Sequence, residues 1–218
     1  MFENFEIRLH QISFNVWVIL GIMLLIPLFL FFLRRKRATQ AGTLLNTKVL
    51  VYGSLCVALS FVLSYIRLFR MPQGGSVTLA GMLPLIIFAV AFGPIAGILA
   101  GISLGFLNLI QDPYMIHWLQ VLLDYPLAYG AVGLAGLFRK PLWTSALVGG
   151  TGRLIMSFLS GVVFFREFTP EGMNDYIYSL TYNGSYIGME LLIIIAVLQV
   201  PQVQTILKQM QKGTALSS

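Results

Sequence analysis

Residues 176–200 read YIYSLTYNGSYIGMELLIIIAVLQV. At ~1.5 Å per residue the run is long enough, and it is apolar enough, to cross about 30 Å of hydrocarbon. Yet it carries a carboxylate, Glu190, and a polar-aromatic stripe. Tyr178, Tyr182, Tyr186 and Glu190 follow one another at every fourth position, with Ser179 and Asn183 beside them. Residues so spaced share one face of a helix. A charge at the centre of a spanning helix costs roughly 2.5–3.5 kcal/mol on insertion scales, so it turns toward protein or a water-filled cavity. The segment predicts a membrane-spanning helix with one face lining a site.

The rest of the chain agrees. Of 218 residues, 57% are hydrophobic and 10% charged, against about 25% charged in an ordinary soluble domain. Such a chain cannot cover its own surface with polar groups, which excludes a soluble enzyme and a disordered binder. The apolar runs are continuous rather than alternating, which excludes a transmembrane barrel. Six or seven spans use roughly 120–140 residues and leave only short loops. The fold class is all-α, a polytopic transmembrane helix bundle.

Further spans are read at Phe14–Leu33, Lys48–Leu68, Val77–Phe92 (interrupted by Pro84), Pro94–Ile110, Trp118–Phe138 and Leu142–Phe165. A basic block, Arg34-Arg35-Lys36-Arg37, follows the first span. A secretory signal would carry its positive residues before the apolar stretch, so this helix is read as retained. The division is 1–45 for an additional N-terminal helix and basic linker, 46–203 for a six-helix membrane domain, and 204–218 for a cytoplasmic tail. With the N-terminus outside, Arg34, Arg35, Lys36, Arg37, Lys48, Arg139, Lys140, Lys208 and Lys212 all fall at cytoplasmic ends, out of fourteen basic residues. That bias sets the orientation as N-terminus out and C-terminus in. It also accounts for the net charge of +6 without a nucleic-acid partner.

Three charges lie inside spans: Asp124, Arg153 and Glu190. Asp124, Ser157 and Asn183 each sit six to eight residues from the outer end of their helix, roughly 9–12 Å deep. Three helices thus bring polar groups to one level. Gln120 and Asp124 share a stripe with His117, and Arg153, Ser157 and Ser160 share the next. The sum is a polar, aromatic pocket open to the outside. A carboxylate among tyrosines suits a small cationic or amine-bearing aromatic ligand. Arg153 and Glu190 also fit a structural pair, and the residues alone leave both readings open. Trp118 and Tyr176 fit an interfacial belt. Gly93, Gly97, Gly101 and Gly105 form a small-residue stripe that permits close helix packing.

No metal site is expected from one cysteine, Cys56, and two histidines, His10 and His117. No phosphate-binding loop, zinc-protease motif or nucleophile elbow occurs. The chain is expected to be no enzyme and to bind no cofactor. If it moves a solute uphill, another protein supplies the work.

Four segments carry a resemblance: Met71-Pro72-Gln73-Gly74-Gly75-Ser76-Val77-Thr78-Leu79, Gln120-Val121-Leu122-Leu123-Asp124-Tyr125, Ser160-Gly161-Val162-Val163-Phe164-Phe165 and Ile177-Tyr178-Ser179-Leu180-Thr181-Tyr182-Asn183. In order and spacing, residues 47–200 resemble the thiamine-specific substrate-binding (S) components of energy-coupling-factor (ECF) vitamin transporters. The resemblance implies a six-helix S-component core, here with one extra N-terminal transmembrane helix, that captures thiamine from outside the plasma membrane. It implies docking on a transmembrane coupling protein with two ATPase subunits, which use the ATP. It implies that Asp124 holds the aminopyrimidine, that Tyr125, Tyr178 and Asn183 contact the ligand, and that Phe165 packs on it. Arg153, Ser157 and Gly161 would complete the pocket, and Gln73, Gly74, Gly75 and Ser76 would form a gate over it. Ser54 and Ala58 map to the docking stripe. Ser157 stands where many members carry histidine, and Asp124 is shorter than the glutamate of some. The alternatives are an S component for a related pyrimidine or other small vitamin, a membrane enzyme acting on a lipid, and a non-transport scaffold.

Overall fold

The computed structural model describes residues 46–215. The expected helix Phe14–Leu33, its basic linker and residues 216–218 lie outside the described residues.

The chain begins with α1 (Thr47–Tyr65), capped by Asn46, whose Oδ1 accepts the Lys48 N–H at 3.0 Å. A two-stranded antiparallel hairpin follows, β1 (Arg67–Arg70) and β2 (Ser76–Thr78), with Arg67 paired to Thr78 and Arg70 to Ser76. Then come α2 (Leu83–Phe92) and α3 (Pro94–Gln111). The next pass is broken. It runs through α4 (Trp118–Leu122), a π-helical turn (Leu123–Leu127), α5 (Ala128–Val132) and a 3-10 turn (Gly133–Leu137). Two long helices, α6 (Leu142–Phe164) and α7 (Asp175–Leu198), and a final α8 (Pro201–Ala215) complete it. By length and composition α1, α3, α6 and α7 can each cross a membrane. Leu50, Val51, Leu55, Leu59 and Val62 stand exposed on α1, as a lipid-facing surface requires.

Several expectations need correction. Residues 67–70 and 76–78, on either side of the expected loop 71–76 and read as a span end and a span start, instead pair as a small hairpin within the helical bundle. The strands are three and four residues long, too short for a period-2 pattern to stand out. Gln73 and Gly74 take positive φ of 57° and 88°, the left-handed region that turns the chain there. The expected span Val77–Phe92 is only the ten-residue α2, and Pro84 starts it rather than interrupting it, because proline in the first turn needs no hydrogen-bond partner. The chain division at 203/204 falls inside α8. That helix is no free tail, since its Leu207 and Met210 are buried in the same core as Leu85 and Phe88.

Packing then places the site. The glycine stripe is a seam within the bundle. A Cβ at Gly101 would meet the Tyr129 backbone, and one at Gly105 would lie 2.5 Å from the Tyr125 carbonyl oxygen. Only glycine lets α3 approach the broken pass so closely. The break itself lies at Pro126. Proline has no N–H to give the preceding turn and its ring crowds that turn's carbonyl, so the helix widens there. Asp124 and Tyr125 ride on this widened turn.

Candidate functional site

A cavity is enclosed by the hairpin, the α3–α4 loop, the broken pass, α6 and α7. Asp124, Tyr125, Arg153, Ser157, Gly161, Phe165, Tyr178 and Asn183 all line it, as do Gln73, Gly74, Gly75 and Ser76 of the hairpin turn. The structure thus brings together the pocket and gate positions that the family resemblance implied, whereas Ser160 on the α6 stripe does not line the cavity. Ser54 and Ala58 lie apart from it, exposed on α1.

Asp124 is held from one side only. Gln120 Nε2 and Ser160 Oγ both donate to its Oδ2, each at 2.7 Å. No bond from a described residue falls on Oδ1. Gln120 is 1% exposed and serves as a splint. Its Nε2 also donates to the Tyr114 carbonyl at 3.1 Å, and its Oε1 accepts the Ile116 N–H at 3.1 Å. The α3–α4 loop is thereby fixed to the carboxylate. Tyr125 adds a second tie, accepting the Tyr114 N–H at 2.9 Å and donating to the Asp112 carbonyl at 2.8 Å.

The opposite wall is amide and aromatic. Asn183 Nδ2 donates to the backbone carbonyls of Ser179 (2.9 Å) and Ser157 (3.2 Å), and its Oδ1 accepts from Tyr186 Oη at 3.0 Å. The amide is pinned flat between α6 and α7. A Cβ at Gly161 would collide with Ser179 and crowd Asn183, so glycine there is a condition of the α6–α7 contact. Tyr178, Tyr182 and Tyr186 succeed one another at ring separations of 6.0 and 5.9 Å. Tyr114 stacks on Phe165 at 5.8 Å and 20°. These faces suit a flat ring.

Arg153 forms part of the floor. Its guanidinium lies 3.4 Å from Glu190 Oε2, 3.4 Å from Tyr129 Oη and 4.6 Å from the centre of the Tyr129 ring. The two readings of Arg153 and Glu190 are therefore not exclusive. They pair, and Arg153 still faces the cavity while Glu190 does not line it. His117 is also outside the cavity. It caps α4, its Nδ1 accepting the Leu119 N–H at 3.1 Å, and it stacks on Phe164.

The hairpin turn borders one side of the cavity. The Gly75 N–H donates to Tyr182 Oη at 3.2 Å, and Tyr182 Oη donates to the Pro72 carbonyl. Tyr114 packs against Gly74. At the rim, Asp112 pairs with Arg67 at 2.7 Å and accepts from Arg70 Nη2 at 3.0 Å on both oxygens. Both arginines belong to β1, so this carboxylate clasps the hairpin to the end of α3.

The family model described as thiamine transporter protein (Thia_YuaJ) matches residues 50–209. The chain belongs to this thiamine transporter family. Thiamine transporter ThiT of Bacillus subtilis is 35% identical over 133 residues, covering 53% of this chain and 69% of that protein. Thiamine transporter ThiT of Lacticaseibacillus paracasei is 30% identical over 124 residues, covering 48% of this chain and 62% of its own length. The solved structure of ThiT from Listeria monocytogenes shares the fold, with a TM-score of 0.62 at 24% identity over 71% of this chain and 96% of that one.

Within this transporter family's fold, the cavity holds residues that sequence reasoning did not single out. Asn108, Tyr114 and Tyr129 line it. Asn108 sits among the glycines of α3, and Tyr129 lies beyond the break at Pro126. Tyr114 is in a loop. Asn108 stands four residues before Asp112 and Tyr129 four after Tyr125, a helical spacing that could have flagged both; for Tyr114 only the folded chain gives a signal. Gln120 and Tyr182 were visible on their stripes, though not that Gln120 ties the α3–α4 loop to Asp124 or that Tyr182 bonds the hairpin turn.

Proposed function

We propose that this chain captures thiamine from the outer side of the plasma membrane, as the S component of an ECF-type uptake system. The observation that carries the reading is the half-satisfied Asp124 carboxylate, aimed into a cavity walled by tyrosine and phenylalanine. Oδ2 is tied by Gln120 and Ser160, and Oδ1 is left for the ligand. Of the charged groups lining the cavity, Arg153 is offset by Glu190 and Asp112 by Arg67 and Arg70 at the rim, which leaves Asp124 as the carboxylate without a cationic partner, and that suits a monocation. Thiamine is one: an aminopyrimidine that can donate to a carboxylate, joined to a thiazolium that stacks on aromatic faces. In this reading Tyr125, Tyr178 and Asn183 contact the ligand, Phe165 covers it, and Arg153, Ser157 and Gly161 shape the far wall. Gln73 to Ser76 act as the gate.

The remaining proposals follow from the S-component reading. The chain is multi-pass with its N-terminus outside and C-terminus in the cytoplasm. Ser54 and Ala58, small and exposed on a membrane helix, form the face that docks on the transmembrane coupling protein. The two ATPase subunits of that complex hydrolyse the ATP, and this chain binds none.

Isothermal titration of the purified protein with thiamine, thiamine phosphates and the free aminopyrimidine tests the reading. Tight binding of thiamine, lost in Asp124→Ala, is expected. Binding of none of these would overturn it. A preference for the free pyrimidine would favour an S component for a pyrimidine relative, a reading that Ser157 in place of a histidine supports.

A further inference from the structure

We infer that Glu190 is a positioning residue that ties the cavity floor to the foot of the gate hairpin, so that gate closure and alignment of Arg153 are one event. The inference rests on the gate reading proposed above. Glu190 is 1% exposed and does not touch the cavity. Its two oxygens serve different parts of the molecule. Oε1 accepts from Thr78 Oγ1 at 2.6 Å and from the Met82 N–H at 3.3 Å. Oε2 faces Arg153 Nη1 at 3.4 Å.

Thr78 is the last residue of β2 and pairs with Arg67 across the hairpin. Its hydroxyl oxygen also accepts the Gly81 N–H at 3.0 Å. The carboxylate thus sits where the hairpin is rooted in the bundle. The distances are unequal. A charge-assisted hydrogen bond between nitrogen and oxygen is usually about 2.7–2.9 Å long. The Thr78 bond is short, whereas Arg153 is held loosely, and its Nε, buried, has no partner among the described residues. Glu190 is committed first to the hairpin and lends its second oxygen to Arg153.

The consequence is a linkage. In the closed state the guanidinium is restrained but keeps donors free for a ligand atom. If the hairpin root withdraws, Glu190 loses its shortest bond, from Thr78 Oγ1, and keeps on Oε1 only the longer one from the Met82 N–H at the start of α2, in a dry interior where an under-partnered charge is costly. It must then engage Arg153 more fully and draw it off the cavity. By reciprocity, a ligand that holds Arg153 in place favours the closed hairpin.

The test uses the full chain in nanodiscs, with Cys56→Ser and a spin label at Phe69→Cys on the exposed side of β1. Thr78→Val and Glu190→Gln are compared with the parent, and Thr78→Ser serves as the rescue. In the ligand-free protein both variants should raise label mobility, and Thr78→Ser should restore it. Thiamine dissociation should quicken by about tenfold in both, the scale of one lost hydrogen bond to a charged group, with association within about twofold of the parent. Parent-like mobility and dissociation in Thr78→Val would overturn the inference, and that variant decides alone if Glu190→Gln does not fold. Slowed association with unchanged dissociation would overturn it too. The label needs no ligand, so a parent protein that binds no thiamine would end the thiamine reading while the mobility result still decided the linkage.

Discussion

Asp124, on the broken pass, and Glu190, on the membrane-length α7, are both acids within the apolar bundle, and they sit in different regions around the same cavity. Asp124, on the wall, has one oxygen tied and one open to the cavity. Glu190, behind the floor, has both oxygens engaged by protein groups. Insertion cost alone marks them equally as functional. Their partners separate them: an acid with an open oxygen is built to meet a ligand, and one with none is built to hold other residues. The difference teaches that a misplaced charge identifies the site, whereas hydrogen-bond accounting assigns the role.

That contrast can be broken by substitution. The largest effect is expected from Asp124→Ala, which should weaken thiamine binding by about a hundredfold, the loss of a charge-assisted contact at a desolvated site. Its unfolding temperature should fall only modestly, because Gln120 keeps its bonds to Tyr114 and Ile116 and the buried Ser160 hydroxyl alone is left without its acceptor, at about 1–3 kcal/mol; titration calorimetry and a thermal melt check both. Gly101→Val comes next. It crowds the Tyr129 backbone and should cost about 1–3 kcal/mol of stability, with binding impaired through the displaced Asp124 turn while the Glu190–Thr78 bond is spared. A melt combined with titration separates the two effects. Asn183→Ala removes the pinned amide on the opposite wall and should weaken binding by about tenfold, read by the same titration. The smallest change is expected from Ser157→His, which adds an imidazole where the family resemblance implies one and should tighten binding a few-fold, about one ordinary hydrogen bond. Weaker binding there would mean that the wall has been rebuilt around serine.

Much of this site was legible in the sequence, for a physical reason. Hydrocarbon penalises polar groups so strongly that Asp124, Ser157 and Asn183 could be aligned by depth alone, and the tyrosine ladder of α7 shows at period four. The loop 71–76 was legible because Pro72, Gly74 and Gly75 are turn formers that break a helix. What was missed lay where helical period fails. The strands 67–70 and 76–78 are too short to register. The pass from Trp118 to Phe138 reads as one continuous span, and the widening at Pro126, which rotates Asp124 and Tyr129 relative to each other, cannot be drawn from hydropathy. The pairing of Arg153 with Glu190 was an open question because sequence gives the depth of two charges but not their facing.

The hairpin is fastened at both ends by carboxylates that live in different media. Asp112 holds β1 through Arg67 and Arg70 at a partly exposed rim, whereas Glu190 holds Thr78 in the dry interior. Mobile ions screen charges beyond about 8 Å at physiological ionic strength and more tightly as salt rises. They reach the rim and not the root. The hairpin over the cavity therefore has one fastening that responds to the saltiness of the surroundings and one that does not, so brine should loosen its rim side while its anchorage holds.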